Sequence, residues 1–208
     1  KVNLGIHLII LRRIMNMGMY KKIFEDYVKN NKNEEDLNII CNQLDNKSDR
    51  NLIDRKNFTG HFTASCFVVS KKTNKIILVY HNFLKKYLQP GGHIESIDLN
   101  PLEASKRELL EETGIEIEKL TYYKADLLNE LVPLNISVHQ IPENIIKEEK
   151  KHYHYDLQYL FFCEEELDVN IDLSEVNNFE WVDWKEFKEM SIYRNIAKKI
   201  ENAKKLSM

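Results

Sequence analysis

The stretch Gln89-Pro-Gly-Gly-His-Ile-Glu-Ser-Ile-Asp98, continued by Leu99-Asn-Pro-Leu-Glu-Ala-Ser-Lys-Arg-Glu-Leu-Leu-Glu-Glu-Thr-Gly-Ile115, decides how this 208-residue chain is read. It divides into a loop, a helix and a loop. Asn100 suits a helix cap because its side-chain oxygen can accept a first-turn N–H. Pro101 follows where a missing N–H costs nothing, and Glu103 completes a capping box. Gly114 supplies a left-handed stop, so the spacing predicts a helix over about 101–112.

On that helix Glu108, Glu111 and Glu112 fall within an arc of about 100°, beside small Ala104, while Leu102 and Leu109 face the other way. Like charges at these spacings repel, so the face disfavours an isolated helix unless a cation neutralises it. Clustered hard oxygens suit Mg²⁺ or Mn²⁺, which few carboxylates can hold while substrate phosphates and water complete the shell. Arg107, four residues before Glu111, can fix a carboxylate's orientation through a charge-assisted bond. A Glu-Glu pair alone is more often a solvated face. The conjunction of a Gly-Gly turn, a capped start, Arg-Glu-Leu-Leu-Glu-Glu and Gly-Ile within about 25 residues favours a catalytic, metal-binding helix.

Upstream, Phe62 to Val69, a turn at Lys71 to Asn74, and Lys75 to His81 read as a β-hairpin. Downstream, Glu116 to Ala125, Leu134 to Gln140, Tyr153 to Cys163 and Asn178 to Val182 are further strand candidates. Asp183 with Glu186 marks the start of a closing helix carrying Phe187, Tyr193, Ile196 and Ile200 on one side. Before the hairpin, Ile23, Phe24, Tyr27 and Val28, then Leu37, Ile40, Cys41 and Leu44, recur at helical steps, and Asn33 with Asp36 resembles a cap for the second helix. The polar segment 47–57 joins this helical extension, residues 1–55, to a main domain, 56–208, of α/β or α+β class.

These residues resemble the signature of the Nudix hydrolase family: a Gly, an acid, then Arg-Glu-apolar-x-Glu-Glu-x-Gly-apolar, matched by Gly92, Asp98 and Arg107 through Ile115. The resemblance covers roughly 58–200 and implies an α/β/α sandwich with a mixed sheet, closed by a Trp181-containing strand and a helix. It implies Glu108, Glu111 and Glu112 as metal ligands, a main-chain carbonyl at Gly91-Gly92 as an addition, and Arg107 as an orienting residue. The implied reaction is attack of water on phosphorus in a nucleoside diphosphate linked to another group. Two departures stand out. The family's first Glu is Asp98 here, and eight residues rather than seven separate it from Arg107, the extra one falling in the loop before Asn100. The general base stays open among Glu108, Glu112, Glu148 and Glu149.

In His152-Tyr-His-Tyr-Asp-Leu-Gln158, alternation puts His152, His154, Asp156 and Gln158 on one face. That stripe, with His93 beside the glycines, is the candidate substrate contact; the competing reading is a solvent-facing edge strand. No Cys or further His completes a zinc set with the two His, so transition-metal binding by them is not expected.

Composition narrows the classes. With 43% hydrophobic and 30% charged residues the chain is neither disordered nor membrane-embedded. Its 30 basic and 33 acidic residues give net −3, with Lys scattered, so bulk charge argues against nucleic-acid binding. Three distant cysteines, Cys41, Cys66 and Cys163, suggest no disulfide framework and fit a cytoplasmic setting. The apolar run 5–11 is too short to span a bilayer, and the chain opens on Lys1 rather than Met, so this segment is given little functional weight. The rival readings are a Nudix-fold nucleotide sensor that has lost hydrolysis and an isomerase of similar fold, which needs a catalytic Cys; Cys66 in an apolar strand looks like core. A homodimer contact is one use open to the apolar faces of the first helices.

Overall fold

The computed structural model describes residues 18–45, 52–82, 84–145, 148–171 and 176–206. The apolar run 5–11 and part of the connection read at 47–57 lie outside them. The described residues fall into two compact units, one of 18–62 with Val138–Tyr155 and the other of Thr63–Ser137 with 156–206.

In the first unit, helix α1 spans 18–30 and α2 spans Leu37–Asp45. Tyr20, Ile23, Phe24 and Tyr27 are buried within the chain, so this apolar stripe already has its cover. Tyr20 stacks on Phe62 at 5.5 Å between ring centres. The cap read at Asn33 falls three residues early: three successive short turns, Leu37 N–H to Glu34, Asn38 N–H to Glu35 and Ile39 N–H to Asp36, lead into α2 instead. Gln43 reaches back from α2, donating to the Gly60 carbonyl at 2.8 Å and accepting from the Tyr155 hydroxyl.

A mixed eight-stranded sheet runs through the chain. Its strands are β1 (Gly60–Ser70), β2 (Lys75–His81), β3 (Lys86–Leu88), β4 (Gly91–His93), β5 (Thr121–Tyr122), β6 (Asn135–Ile141), β7 (His152–Cys163) and β8 (Val176–Asp183). The order is β3-β2-β1-β7-β5, with β4 on β1, β6 on β7 and β8 on β2. The hairpin read from sequence forms, with Val69 opposite Ile76 and Asn74 taking the positive φ of 57° in its turn.

In the second unit the sheet is covered on both faces, as the alternation of β1 requires. Helix α3 (Pro101–Thr113) lies on the side of Cys66, whose thiol points at the Ser105 carbonyl. Phe67 and Val69, of opposite phase, join Ile76, Leu78, Leu160, Phe162 and Val182 in a core closed by α4 (Trp184–Glu189) and α5 (Arg194–Leu206). Each such side chain contributes roughly 1.5–3 kcal/mol on burial, which makes this core the main source of cohesion. No helix among the described residues is long and apolar enough to cross a membrane.

Several elements differ from the sequence reading. The segment 116–125 is not one strand but a 3₁₀ turn at Ile117–Lys119 followed by the two-residue β5. Thr121 and Tyr122 pair with Phe162 and Phe161 of β7, and Tyr123 donates its N–H to the Leu160 carbonyl at 2.9 Å. The closing helix is broken at Met190, whose ψ of 119° is extended. The break lets Tyr193 stack on Phe187 at 4.6 Å and send its hydroxyl to Gln89 at 2.9 Å. Asp183 starts α4 without a side-chain cap bond. Strand β7 is no solvent-facing edge either: β1 and β5 flank it, and from Tyr155 to Cys163 it is buried throughout.

Candidate active site

Helix α3 begins and ends as its sequence dictates. Asn100 is extended (φ −162°, ψ 171°) and its side-chain oxygen accepts the Glu103 N–H at 2.9 Å. Glu103 itself does not close the capping box; its carboxylate takes Lys106 at 2.7 Å. Gly114 stops the helix at φ 67°, its N–H on the Leu110 carbonyl.

Arg107 is the hub of the acidic face. Its Nε and Nη2 grip the two oxygens of Asp98 at 3.0 and 3.1 Å, and Nη2 also donates to the His93 carbonyl at 2.9 Å. Nη1 donates to Glu111 at 2.7 Å and lies 3.0 Å from a Glu108 oxygen. One guanidinium therefore ties the loop before the helix, the end of β4 and two of the three helix carboxylates. Burial works against its charge, but the bonds from Asp98 and the charges of Glu108, Asp98 and Glu111 prevail and push its pKa up.

The substitution of Asp for Glu at 98 is accommodated here. Asp98 is buried, and its Oδ2 also accepts the Glu95 N–H at 2.7 Å, so the shorter acid is drawn in by a turn of its own loop. Asp98→Ala leaves Arg107 half-gripped and the Glu95 N–H without its acceptor. We expect a loss of about 2–4 kcal/mol in stability, read as a lower urea midpoint; an unchanged midpoint would sink that role.

The carboxylates differ in setting. Glu108 and Glu112 are 7% and 3% exposed, whereas the Glu111 side chain is 52% exposed. Glu112 Oε2 accepts the Gly91 N–H at 3.0 Å. Gly92 comes so close to Glu108 that a Cβ there would lie 2.7–2.8 Å from the carboxylate atoms. The Gly-Gly strand β4, paired with β1 through Ser65–Gly91 and Ala64–Gly92, thus brings main chain directly onto two of the three acids. Three hard carboxylates against such a backbone edge form a donor set that fits Mg²⁺ or Mn²⁺ rather than a soft ion. Burial, then the charges of Glu112, Asp156 and Glu108, push the Cys66 thiol well above its ordinary value. At 0% exposure it is core, as its strand suggests, and no nucleophile.

The polar stripe of β7 divides. Asp156 is 4% exposed and accepts from Thr63 (3.1 Å), Ser65 (2.6 Å), Gln89 (3.1 Å) and Gln158 (3.0 Å). Gln158 in turn accepts from Asn135 at 2.7 Å. This is an internally satisfied network in the second unit, continuous with the bonds between Gln89 and Tyr193. Sequence reading missed Thr63, Ser65, Gln89 and Asn135; for Thr63 and Ser65 their alternation within apolar β1 was the available sign. His93 is held to the acidic face instead, its carbonyl accepting from Arg107 Nη2. His152 and His154 belong to the first unit, as do Glu148, at φ 53°, and Glu149, whose carboxylate accepts from Arg55 at 3.1 Å.

A sheet covered on both faces, with an Arg-centred acidic helix held against a Gly-Gly strand, defines the Nudix class, and the NUDIX domain matches residues 60–202 of this chain. The chain belongs to the Nudix family and is a pyrophosphohydrolase of that family. It is 34% identical over 152 residues to the "Probable DHNTP pyrophosphohydrolase" of Lactococcus lactis subsp. cremoris (strain MG1363), covering 73% of this chain and 82% of that protein. Among solved structures it is similar to a NUDIX family hydrolase from Clostridium perfringens, with 26% identity, 71% and 98% of the two chains covered and a TM-score of 0.51. Its fold is also similar to that of the E. coli dihydroneopterin triphosphate pyrophosphohydrolase, with 13% identity, 68% and 92% covered and a TM-score of 0.51.

Proposed function

We propose that this pyrophosphohydrolase depends on Mg²⁺ or Mn²⁺ and cleaves the diphosphate linkage of a nucleoside diphosphate derivative or similar small phosphorylated metabolite, by attack of water on phosphorus. The observation that carries this reading is the Arg107 hub, which holds Glu111 and Glu108 on one helix face while Gly91 holds Glu112. Glu108, Glu111 and Glu112, with the Gly91 carbonyl, would hold the ion. When bound, it would lower the pKa of a water and offset charge on the phosphoryl oxygens. Arg107, saturated by protein acceptors, orients the carboxylates rather than the substrate. His93, whose carbonyl accepts from Arg107, is the candidate to meet a phosphate. Asp156 and Gln158 act as positioning residues, through Ser65 and Gln89. Asp98 engages Arg107 fully, which favours hydrolysis over a sensor that has lost it.

We take 56–208 as the hydrolase domain and 1–55 as a helical extension, in a cytoplasmic protein whose three cysteines are free thiols. The name of the Lactococcus relative makes DHNTP the first substrate to assay, beside ADP-ribose and dinucleoside polyphosphates. Turnover of one member of that panel should require Mg²⁺ or Mn²⁺, vanish with chelator and fall in Glu111→Gln. That residue is half-exposed, so the change should leave the melting temperature in place. Metal-independent turnover, or full activity in the variant, would overturn the reading; nucleotide binding without turnover would favour the sensor.

A further inference from the structure

The Gly91 main chain, which gives its N–H to Glu112, is also held from the opposite layer of the second unit. Strand β3 ends at Leu88 and β4 begins at Gly91, so Gln89 and Pro90 lie between two strands. Pro90 has no N–H, and its carbonyl accepts the Cys66 N–H at 3.0 Å. The Gln89 N–H goes to a side chain: it donates to the Tyr193 hydroxyl at 3.1 Å, and that hydroxyl donates back to Gln89 Oε1 at 2.9 Å.

One hydroxyl thus holds both the backbone and the side chain of Gln89. With Oε1 accepting from Tyr193, Nε2 is turned toward Ser65 Oγ at 3.3 Å and an Asp156 carboxylate oxygen at 3.1 Å. A carboxylate only accepts, so a single orientation of the amide satisfies all these partners.

Tyr193 is itself fixed. It ends the 3₁₀ turn Ser191–Tyr193, just beyond the break at Met190. Its buried ring stacks on Phe187 at 4.6 Å and meets Phe67 edge-on at 5.6 Å. That packing would be kept by a phenylalanine; what the hydroxyl adds is its two bonds to Gln89. Burial pushes the hydroxyl's pKa up, the Gln89 N–H opposes this and the charge of Asp156 reinforces it, so the group stays a neutral donor at physiological pH.

From Gln89 the path to the acidic face is short. Two residues on, Gly91 pairs with Ser65 and gives its N–H to Glu112 at 3.0 Å. The segment before and at the start of β4 is therefore tied to α3 through Glu112 and to the turn before α5 through Tyr193.

We propose that Tyr193 is a positioning residue of the active site, its hydroxyl fixing Gln89 and, through it, the Gly91 main chain against Glu112. This rests on the metal-dependent reading given above, and Tyr193 acts through Gln89 rather than on the ion or the substrate.

The test is the Mn²⁺ affinity of the full-length protein without substrate, read from the EPR signal of the free ion. Tyr193→Phe is compared with Tyr159→Phe, whose buried hydroxyl donates to the Leu131 carbonyl at 2.9 Å. Loss of an outer-shell partner costs about 10–100-fold in metal affinity or activity, so Tyr193→Phe, one step further out, should weaken Mn²⁺ binding about 10-fold. Its kcat should fall with the substrate KM little changed, and amides of the segment 89–92 should exchange hydrogen faster. Tyr159→Phe should bind Mn²⁺ as wild type does. Undiminished Mn²⁺ binding by Tyr193→Phe, beside loss of affinity in Glu111→Gln, overturns the proposal and leaves the metal site standing. Equal weakening in Tyr159→Phe would trace the effect to packing and overturns it too. Wild type that binds no Mn²⁺ overturns both the proposal and the reading beneath it. Should Tyr193→Phe fail to fold, Gln89→Met keeps the Tyr193 ring in its stack and removes the acceptor of its hydroxyl. Weakened Mn²⁺ binding in that variant supports the proposal and unchanged affinity overturns it.

Discussion

Glu112→Gln should lower turnover about 10²–10³-fold while leaving the protein folded. The carboxamide keeps an oxygen where Oε2 accepts the Gly91 N–H at 3.0 Å, so β4 stays in position. What disappears is one negative charge from an acid only 3% exposed, where the surroundings screen little. A metal-centred site supplies several kcal/mol of stabilisation to developing phosphoryl charge, and about 3–4 kcal/mol corresponds to 10²–10³ in rate. Steady-state kinetics on the substrate found in the panel, with a metal titration, would measure it. Recovery of full rate at raised metal would mean that Glu112 contributes affinity only, and an unchanged rate would remove it from the site.

Gly91→Ala should have the largest effect on stability. A Cβ at Gly91 would stand 2.6 Å from Ser65 Cα and 2.7 Å from the Ala64 carbonyl oxygen, both backbone atoms of the buried central strand β1. Neither can yield, so β4 must move away. That motion strains the Cys66 N–H to Pro90 bond at 3.0 Å and the Gly91 N–H to Glu112 bond. Overpacking of about 1–3 kcal/mol and two weakened hydrogen bonds of about 1 kcal/mol each give a cost of about 3–5 kcal/mol. For a chain of this length that corresponds to a fall of about 10 °C in melting temperature. A melt within about 2 °C of wild type would show that β4 can be displaced freely. Gly92→Ala should separate the two properties: its clash is with the Glu108 carboxylate, which can swing, so activity suffers more than stability.

How legible these features were depends on whether they are written locally. Asn100, Pro101 and Gly114 mark α3 within a few residues, and its bounds were readable to within one residue. Strands β3 and β4, three residues each around Pro90, have no room for alternation, and the segment read as loop. At 116–125, Ile117, Leu120 and Tyr122 carry apolar character, but pairing depends on reaching β7, and the bonds to it come from Thr121 to Tyr123. The break at Met190 is a tertiary effect, since stacking of Tyr193 on Phe187 outweighs a continuous helix. The fates of Asp156 and His154 were equally hidden: both alternate on one strand, yet one meets hydroxyls and amides and the other meets imidazoles.

The double grip on Asp98, by Arg107 on one side and the Glu95 N–H on the other, has a consequence for how such chains diverge. Leu99, the residue after the acid, is 70% exposed, so chain length between acid and arginine can change there without disturbing either. Spacing is thus an elastic part of this signature and reach its inelastic part. A fixed-interval pattern would pass over a lineage that gained one residue at this point, whereas one requiring an acid within grasp of the helix arginine would keep it.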